Sequence, residues 1–175
     1  QTCALPILFD AEDCYGAWSL YKSIEQKARN NNKLVMGPWS HGGWSRGTGE
    51  FLGNIRFGSK TSELYQKQLE IPFFDHYLLG KGSETGIAEA TVFLTGSNKW
   101  KSFSQWPPVN SDATPYYLNA DGSIGRKATG KYRQYTSDPA KPVPYTEDVH
   151  LGRTADYMTD DQRFAARRPD VLVYQ

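Results

Sequence analysis

The sequence predicts two parts in series, an α/β unit followed by an all-β one. Three observations predict this. Before about residue 85, helical patterns alternate with a short apolar strand. After it, short β-rich runs are separated by Pro and Gly turns. Hydrophobic residues make up 38% of the 175 residues and aromatic ones 14%, enough to build buried cores rather than a disordered chain.

The elements follow in order. Gln1 to Ile7 read QTCALPI, which one frame of a widely used short-read sequencing adapter encodes. Residues 1–7 are therefore expected to be a translated adapter and are set aside from the fold. An ordinary apolar strand start is the alternative. Residues 14–29 (CYGAWSLYKSIEQKAR) predict a helix, with Ala17, Trp18, Tyr21, Ile24 and Ala28 on one face. Asp13 is placed to cap it and Asn30, Asn31 and Asn32 to end it. Lys33 to Trp39 (KLVMGPW) reads as a short buried strand stopped by Gly37 and Pro38.

A Gly-rich loop occupies residues 41–58. A second helix is expected over 61–79, with Leu64, Tyr65, Leu69, Phe73 and Tyr77 as its apolar face. Pro72 should kink or divide it, and Gly80 should stop it. Residues 89–96, 114–119 and 131–136 read as strands, and Ala120-Asp121-Gly122 as a turn. SDPAKPVPY (137–145) reads as extended loop, and the apolar run Val171–Tyr174 as a strand left without a partner, so truncation is expected at this end.

Charge and composition exclude several classes of function. Twenty basic residues against 19 acidic ones give a net charge of +1, which argues against a nucleic-acid surface or an electrostatic hold on membranes. No apolar run approaches the ~18 residues that span a bilayer. Two cysteines, Cys3 and Cys14, are too few for a disulfide framework. No cluster has metal-ligand spacing, so neither a metal nor another cofactor is expected.

Two segments carry the chemistry. The first is Asp10-Ala11-Glu12-Asp13, three carboxylates in four residues between a strand remnant and a helix. Like charges so close are costly, and a helix N-terminus offsets part of that cost. Plain capping accounts for one or two of these acids, less well for three. The second is Gly37-Pro38-Trp39-Ser40-His41-Gly42-Gly43-Trp44, where a histidine follows directly on a buried strand among glycines. A strand-end acid, a helix, a strand and a strand-end histidine give the order of the last two members of a Ser-Asp-His triad in α/β-hydrolases. Asp10 and His41 are the catalytic candidates.

Gly43-Trp44-Ser45-Arg46-Gly47 matches G-x-S-x-G but sits in a loop, after both partners, and lacks the strand–turn–helix setting of a nucleophile elbow. The nucleophilic serine is therefore expected outside this sequence, upstream. His76 lies in a helical pattern beside Asp75, and His150 in a loop with no partner pattern.

At these segments the chain resembles the superfamily of cocaine esterase, X-Pro dipeptidyl-peptidase and α-amino-acid ester hydrolase. The likeness runs from Leu8 to Gln175 through FDAEDCYGA, LVMGPWSHGGW, IPFFDHYLLGKG, VFLTGSNKWKSFSQWPP, YTSDPAKPVPY and YMTDDQRFAARRPDVLVY. It implies a fragment of a larger protein. Residues 8–84 would be the C-terminal part of an α/β-hydrolase domain, and residues 85–175 the start of an all-β jelly-roll sandwich. It places the triad acid at Asp10 and the triad histidine at His41. Glu12 and Asp13 fall where the amino-acid ester hydrolases hold the substrate's α-ammonium, while Ala11 stands where glutamine is expected.

The resemblance implies a serine hydrolase of α-amino-acid esters or amides, working through an acyl-enzyme. Its partners would be small-molecule esters, amides or short peptides, and the reading is compatible with a homo-oligomer. Many members are exported, which implies a periplasmic or secreted parent. An X-Pro dipeptidyl-peptidase and a cocaine-esterase-like carboxylesterase are the alternatives within the superfamily. A non-enzymatic β-sandwich binding module, with Trp100 and Trp106 as platforms, is the alternative outside it.

Overall fold

The computed structural model describes residues 2–4, 9–10, 14–27, 31–82, 86–152 and 154–175. The chain forms two compact units, Gln1–Val109 and Asn110–Gln175.

The first unit opens with strand β1 (Thr2–Ala4), followed by helix α1 (Cys14–Lys27) and strand β2 (Asn32–Met36). A short hairpin follows, β3 (Phe51–Leu52) and β4 (Ile55–Arg56). Next comes one long helical stretch in three pieces: α2 (Thr61–Tyr65), a π-helical turn (Gln66–Glu70) and α3 (Ile71–Leu79). Strands β5 (Ala90–Leu94) and β6 (Lys99–Phe103) complete the unit. Its four-stranded sheet has the order β1-β2-β5-β6, parallel at the first two junctions and antiparallel at the last.

A parallel strand with both faces covered must be apolar along its length. β2 and β5 meet that demand: Leu34 and Val35 are buried, as are Ala90, Val92 and Phe93. Successive residues of a strand face opposite ways. Leu34 accordingly joins Tyr21 of α1 and Ala90 in one core, with Trp18 and Phe103 against it. Val35 joins Trp39 and Tyr65 in a second core, with Leu69 and Trp100 against it. Each core buries several large side chains at about 1.5–3 kcal/mol apiece.

The apolar face expected for α1 is the one that docks: Tyr21 is buried, and Trp18 stacks on it at 5.8 Å. Pro72 divides the second helix as expected. Proline has no N–H to donate and crowds the carbonyl four residues back. The wider π-helical turn sits directly before it, where such crowding is relieved. Gly80, at φ 63°, ends α3, with its N–H on His76 O and the Lys81 N–H on Asp75 O.

Four expectations need correction. The division between parts does not fall at residues 84 and 85: β5 pairs with β2, β6 pairs with β5, and the compact units meet between Val109 and Asn110. A hairpin that extends a parallel sheet has the same alternation and turn residues as the first hairpin of an all-β domain. Residues 131–136 form no strand, and the strand expected at 114–119 shrinks to β7 (Tyr117–Leu118), paired with β8 (Ile124–Gly125). Strands exist only in pairs, and no ladder partner for 131–136 lies among the described residues. The run Val171–Tyr174 is irregular too, although Gln175 exchanges backbone bonds with Gly122 O and the Ile124 N–H. Finally, Thr2–Ala4, set aside from the fold, occupies a strand position beside β2.

The second unit is otherwise irregular, apart from a 3-10 turn (Asp156–Met158) and the short helix α4 (Arg163–Ala166). Its order comes from local polar bonds. Asn119 accepts from the Thr129 N–H and donates to Lys127 O, closing the loop after β8. Arg168 grips Asp170, whose carboxyl is held below the usual carboxylate range by that guanidinium.

Candidate active site

β1 and β2 run parallel, so their C-terminal ends open at the same edge of the sheet. In open α/β sheets that edge is where ligands bind. The Phe9 N–H donates to Trp39 O at 3.3 Å, one residue before the acid and two before the histidine. Asp10 and His41 leave this last rung together. His41 Nδ1 lies 2.9 Å from Asp10 Oδ2.

Asp10 presents only 1% of its side chain to solvent, against 46% for His41. A buried carboxylate can only accept, so Nδ1 carries the proton and donates it. The imidazole therefore has one edge fixed by the acid and the other toward solvent. The two residues singled out in the sequence, 31 apart along the chain, are brought into contact.

The loop beyond His41 folds back beneath it. The Gly43 N–H donates to Ser40 O, and the Ser45 N–H and hydroxyl both donate to Gly42 O. Gly42 is buried with φ 73°, and a Cβ there would overlap the Arg46 guanidinium. That guanidinium donates to His41 O at 3.0 Å and to Gly42 O at 3.3 Å. Trp44 meets the His41 ring edge-on at 6.3 Å. Ser45 sits in a run of turns, without the strand before it and helix after it that an elbow needs. No serine among the described residues has that setting.

No family model matches the chain. It is 29% identical to cocaine esterase of Rhodococcus sp. (strain MB1 Bresler), over 98% of the chain and 32% of that esterase. It superposes on an α-amino-acid ester hydrolase structure with a TM-score of 0.86 at 33% identity, over 98% of the chain and 30% of that structure. The chain belongs to the superfamily of cocaine esterase and α-amino-acid ester hydrolase.

The chain is also similar to the structure of an aminopeptidase from the marine sediment archaeon Thaumarchaeota archaeon, with a TM-score of 0.85 at 34% identity, over 98% of the chain and 29% of that structure. The chain thus spans about a third of the length of these proteins.

Glu12 and Asp13 lie outside the described residues. His76 sits within α3 with its ring edge-on to Tyr77 at 4.6 Å, and His150 lies in irregular backbone far along the chain. Among the described residues no group of three or more His, Cys, Asp or Glu side chains could hold a metal ion. No helix there is long and apolar enough to cross a membrane.

Sequence reading missed the side chains that hold the histidine loop. The Trp39 indole donates to Thr61 Oγ1 at 2.9 Å, and Thr61 Oγ1 donates to Gly49 O at 2.7 Å. Ser62 Oγ donates to Gly43 O at 2.9 Å, and Gln66 Nε2 donates to Trp44 O at 2.7 Å. A hydroxyl aimed at a main-chain carbonyl leaves no motif. The available signal was Thr61-Ser62 opening a helix directly after a Gly-rich loop.

Proposed function

We propose that the parent protein is a serine hydrolase that cleaves esters or amides of α-amino acids through an acyl-enzyme. The observation that carries this reading is the 2.9 Å bond between His41 Nδ1 and the buried Asp10 carboxylate, at the shared carboxyl edge of two parallel strands. Fixing the proton on Nδ1 leaves the lone pair on Nε2. Nε2 then takes the proton of a serine hydroxyl, supplied by a part of the protein outside these residues, as that oxygen attacks the substrate carbonyl. The Asp10 carboxylate stabilises the imidazolium that forms. The imidazolium returns the proton to the leaving alcohol or amine as the tetrahedral intermediate collapses. Water repeats the sequence to free the acid and the serine.

In this reading Glu12 and Asp13 hold the substrate's α-ammonium. An ammonium is compact and strongly hydrated, and it gains charge-assisted hydrogen bonds once set between carboxylates. A peptidase acting at a free amino terminus is the second reading, favoured by the likeness to the archaeal aminopeptidase. Both need the amine to be bound. A carboxylesterase without an amine requirement would leave Glu12 and Asp13 with no task beyond capping the helix.

Labelling the full-length protein with a fluorophosphonate tests the class, because the reagent captures an activated serine. Efficient labelling that is lost in His41→Ala is the expected result. A protein that resists the reagent while folded is no serine hydrolase.

A further inference from the structure

The loop after His41 has little preference of its own. Gly42, Gly47 and Gly49 all adopt positive φ, and with Gly43 four of the eight residues 42–49 are glycine, the most conformationally free kind. Loops of that composition wander unless their carbonyls are claimed. Here one helix claims four of them. Ser62 Oγ takes Gly43 O, Gln66 Nε2 takes Trp44 O, the Ser62 N–H takes Thr48 O and Thr61 Oγ1 takes Gly49 O. Gly49 lets the helix come this close, since a Cβ at that position would overlap Ser62 Oγ.

Thr61 and Ser62 are both fully buried. No water is at hand to replace a lost partner, so their bonds are obligatory. Thr61 also sits at a junction. Its hydroxyl accepts from Trp39, whose own carbonyl accepts the N–H of Phe9, the residue before Asp10. The same hydroxyl donates to Gly49 at the far end of the loop. One side chain thus ties the strand ends that carry the acid and the histidine to the loop that must return beneath the histidine.

We propose, resting on the catalytic reading of His41 above, that Thr61 and Ser62 are positioning residues that fix where the His41 ring stands relative to Asp10 and to the reacting hydroxyl. They touch neither substrate nor the reacting atoms. They act by removing alternative paths from the loop, so that proton transfer at Nε2 starts from one geometry. A displacement on the order of 1 Å costs about a hundredfold in rate.

The test uses the full-length protein and an activated ester of an α-amino acid. Thr61→Val keeps the shape of the side chain but loses both hydrogen bonds, Thr61→Ser keeps the hydroxyl, and Ser62→Ala is the smaller lesion beside it. For Thr61→Val, kcat should fall by about tenfold or more with KM held within about twofold. The Nδ1 proton of His41 should lose its sharp downfield NMR signal in the same variant. Thr61→Ser should recover both. Wild-type turnover in Thr61→Val, or a loss carried by KM alone, overturns the proposal. So does failure of Thr61→Ser to recover activity. If Thr61→Val does not fold, Ser62→Ala decides: a fall in kcat at constant KM supports positioning, and unchanged kcat rejects it. His41→Ala separates the two levels. Turnover that survives in His41→Ala removes the catalytic reading and this proposal together. An inactive His41→Ala beside a fully active Thr61→Val removes the positioning role alone.

Discussion

In the proposed mechanism Asp10 and His41 divide one task through their surroundings. The acid is withdrawn from water and can do little but accept the Nδ1 proton; the imidazole keeps a face toward solvent. His41→Ala in the full-length protein should leave the melting temperature nearly unchanged, because a half-exposed loop histidine buries little, while kcat falls on the order of 10⁴-fold. Asp10→Asn should cost heavily as well, since an amide favours the wrong tautomer. Near-normal turnover in either variant would refute the assignment. Glu12→Gln or Asp13→Asn should weaken kcat/KM about 10- to 100-fold for α-amino esters, from the loss of about 1.5–3 kcal/mol per charged hydrogen bond, and spare matched esters without the amine. Parallel kinetics on the two ester series check this, and equal losses on both would mean the acids serve only the fold. The contact between Asp10 and His41 was legible in the sequence because strand-end acid and strand-end histidine occupy fixed places in chain order. Thr61, Ser62 and Gln66 were not, because any donor of suitable length can serve a carbonyl.

Helix α1 is fastened to the sheet by a polar bond inside an apolar contact. The Tyr21 hydroxyl donates to Glu89 Oε1 at 2.8 Å, and Lys33 pairs with the other carboxylate oxygen at 3.5 Å. Burial first, then the Glu89 hydrogen bond and charge, push the Tyr21 phenol well above the ordinary tyrosine range. The unfolded chain ionises its tyrosine near pH 10, the folded one later. Tyr21 therefore contributes its full stability below about pH 10 and loses it as the pH climbs toward the folded value. Urea melts at rising pH should show a steeper fall for the wild type than for Tyr21→Phe, which should already be about 1 kcal/mol weaker at neutral pH. Identical slopes would mean the phenol is not held in its protonated form. The end of α3 offers a cleaner case. Nothing lies near a Cβ built on Gly80, so Gly80→Ala carries only the backbone cost of φ 63°, about 1 kcal/mol, readable as a lower melting temperature. Both helices were legible from their 3.6-residue period and their stops. The π-helical turn was legible only through Pro72, since no side-chain pattern specifies a wider turn.

Across the whole chain, what sequence conveyed well was the path through α1 and β2 to the histidine, because burial on both faces of a strand demands unbroken apolar residues; β1, set aside from the fold, was missed. The end of the first unit was misplaced, because β5 and β6 look alike whether they extend a parallel sheet or begin a sandwich. The second unit holds one two-stranded ribbon among its described residues, while Tyr116, Tyr132 and Tyr135 stand exposed. Without an elbow serine among the described residues, this 175-residue chain should hydrolyse an activated ester no faster than free imidazole does, and Ser45→Ala should change nothing. Turnover at enzyme-like rates abolished by Ser45→Ala would mean the loop holds a nucleophile after all.

The strand order has a directional consequence. β6 is an outer strand, reversed against its neighbour, with exposed Lys99 and Lys101 along it. Lysines on an outer strand discourage a stranger from docking there, because pairing would bring their charges against another backbone. Thr2–Ala4 at the opposite margin carries no charged residue. Among the described strands the two margins therefore differ: the β6 margin carries charges that discourage a further strand, and the β1 margin carries none. A strand approaching β6 would have to bring its backbone against Lys99 and Lys101, a cost that is absent beside Thr2–Ala4.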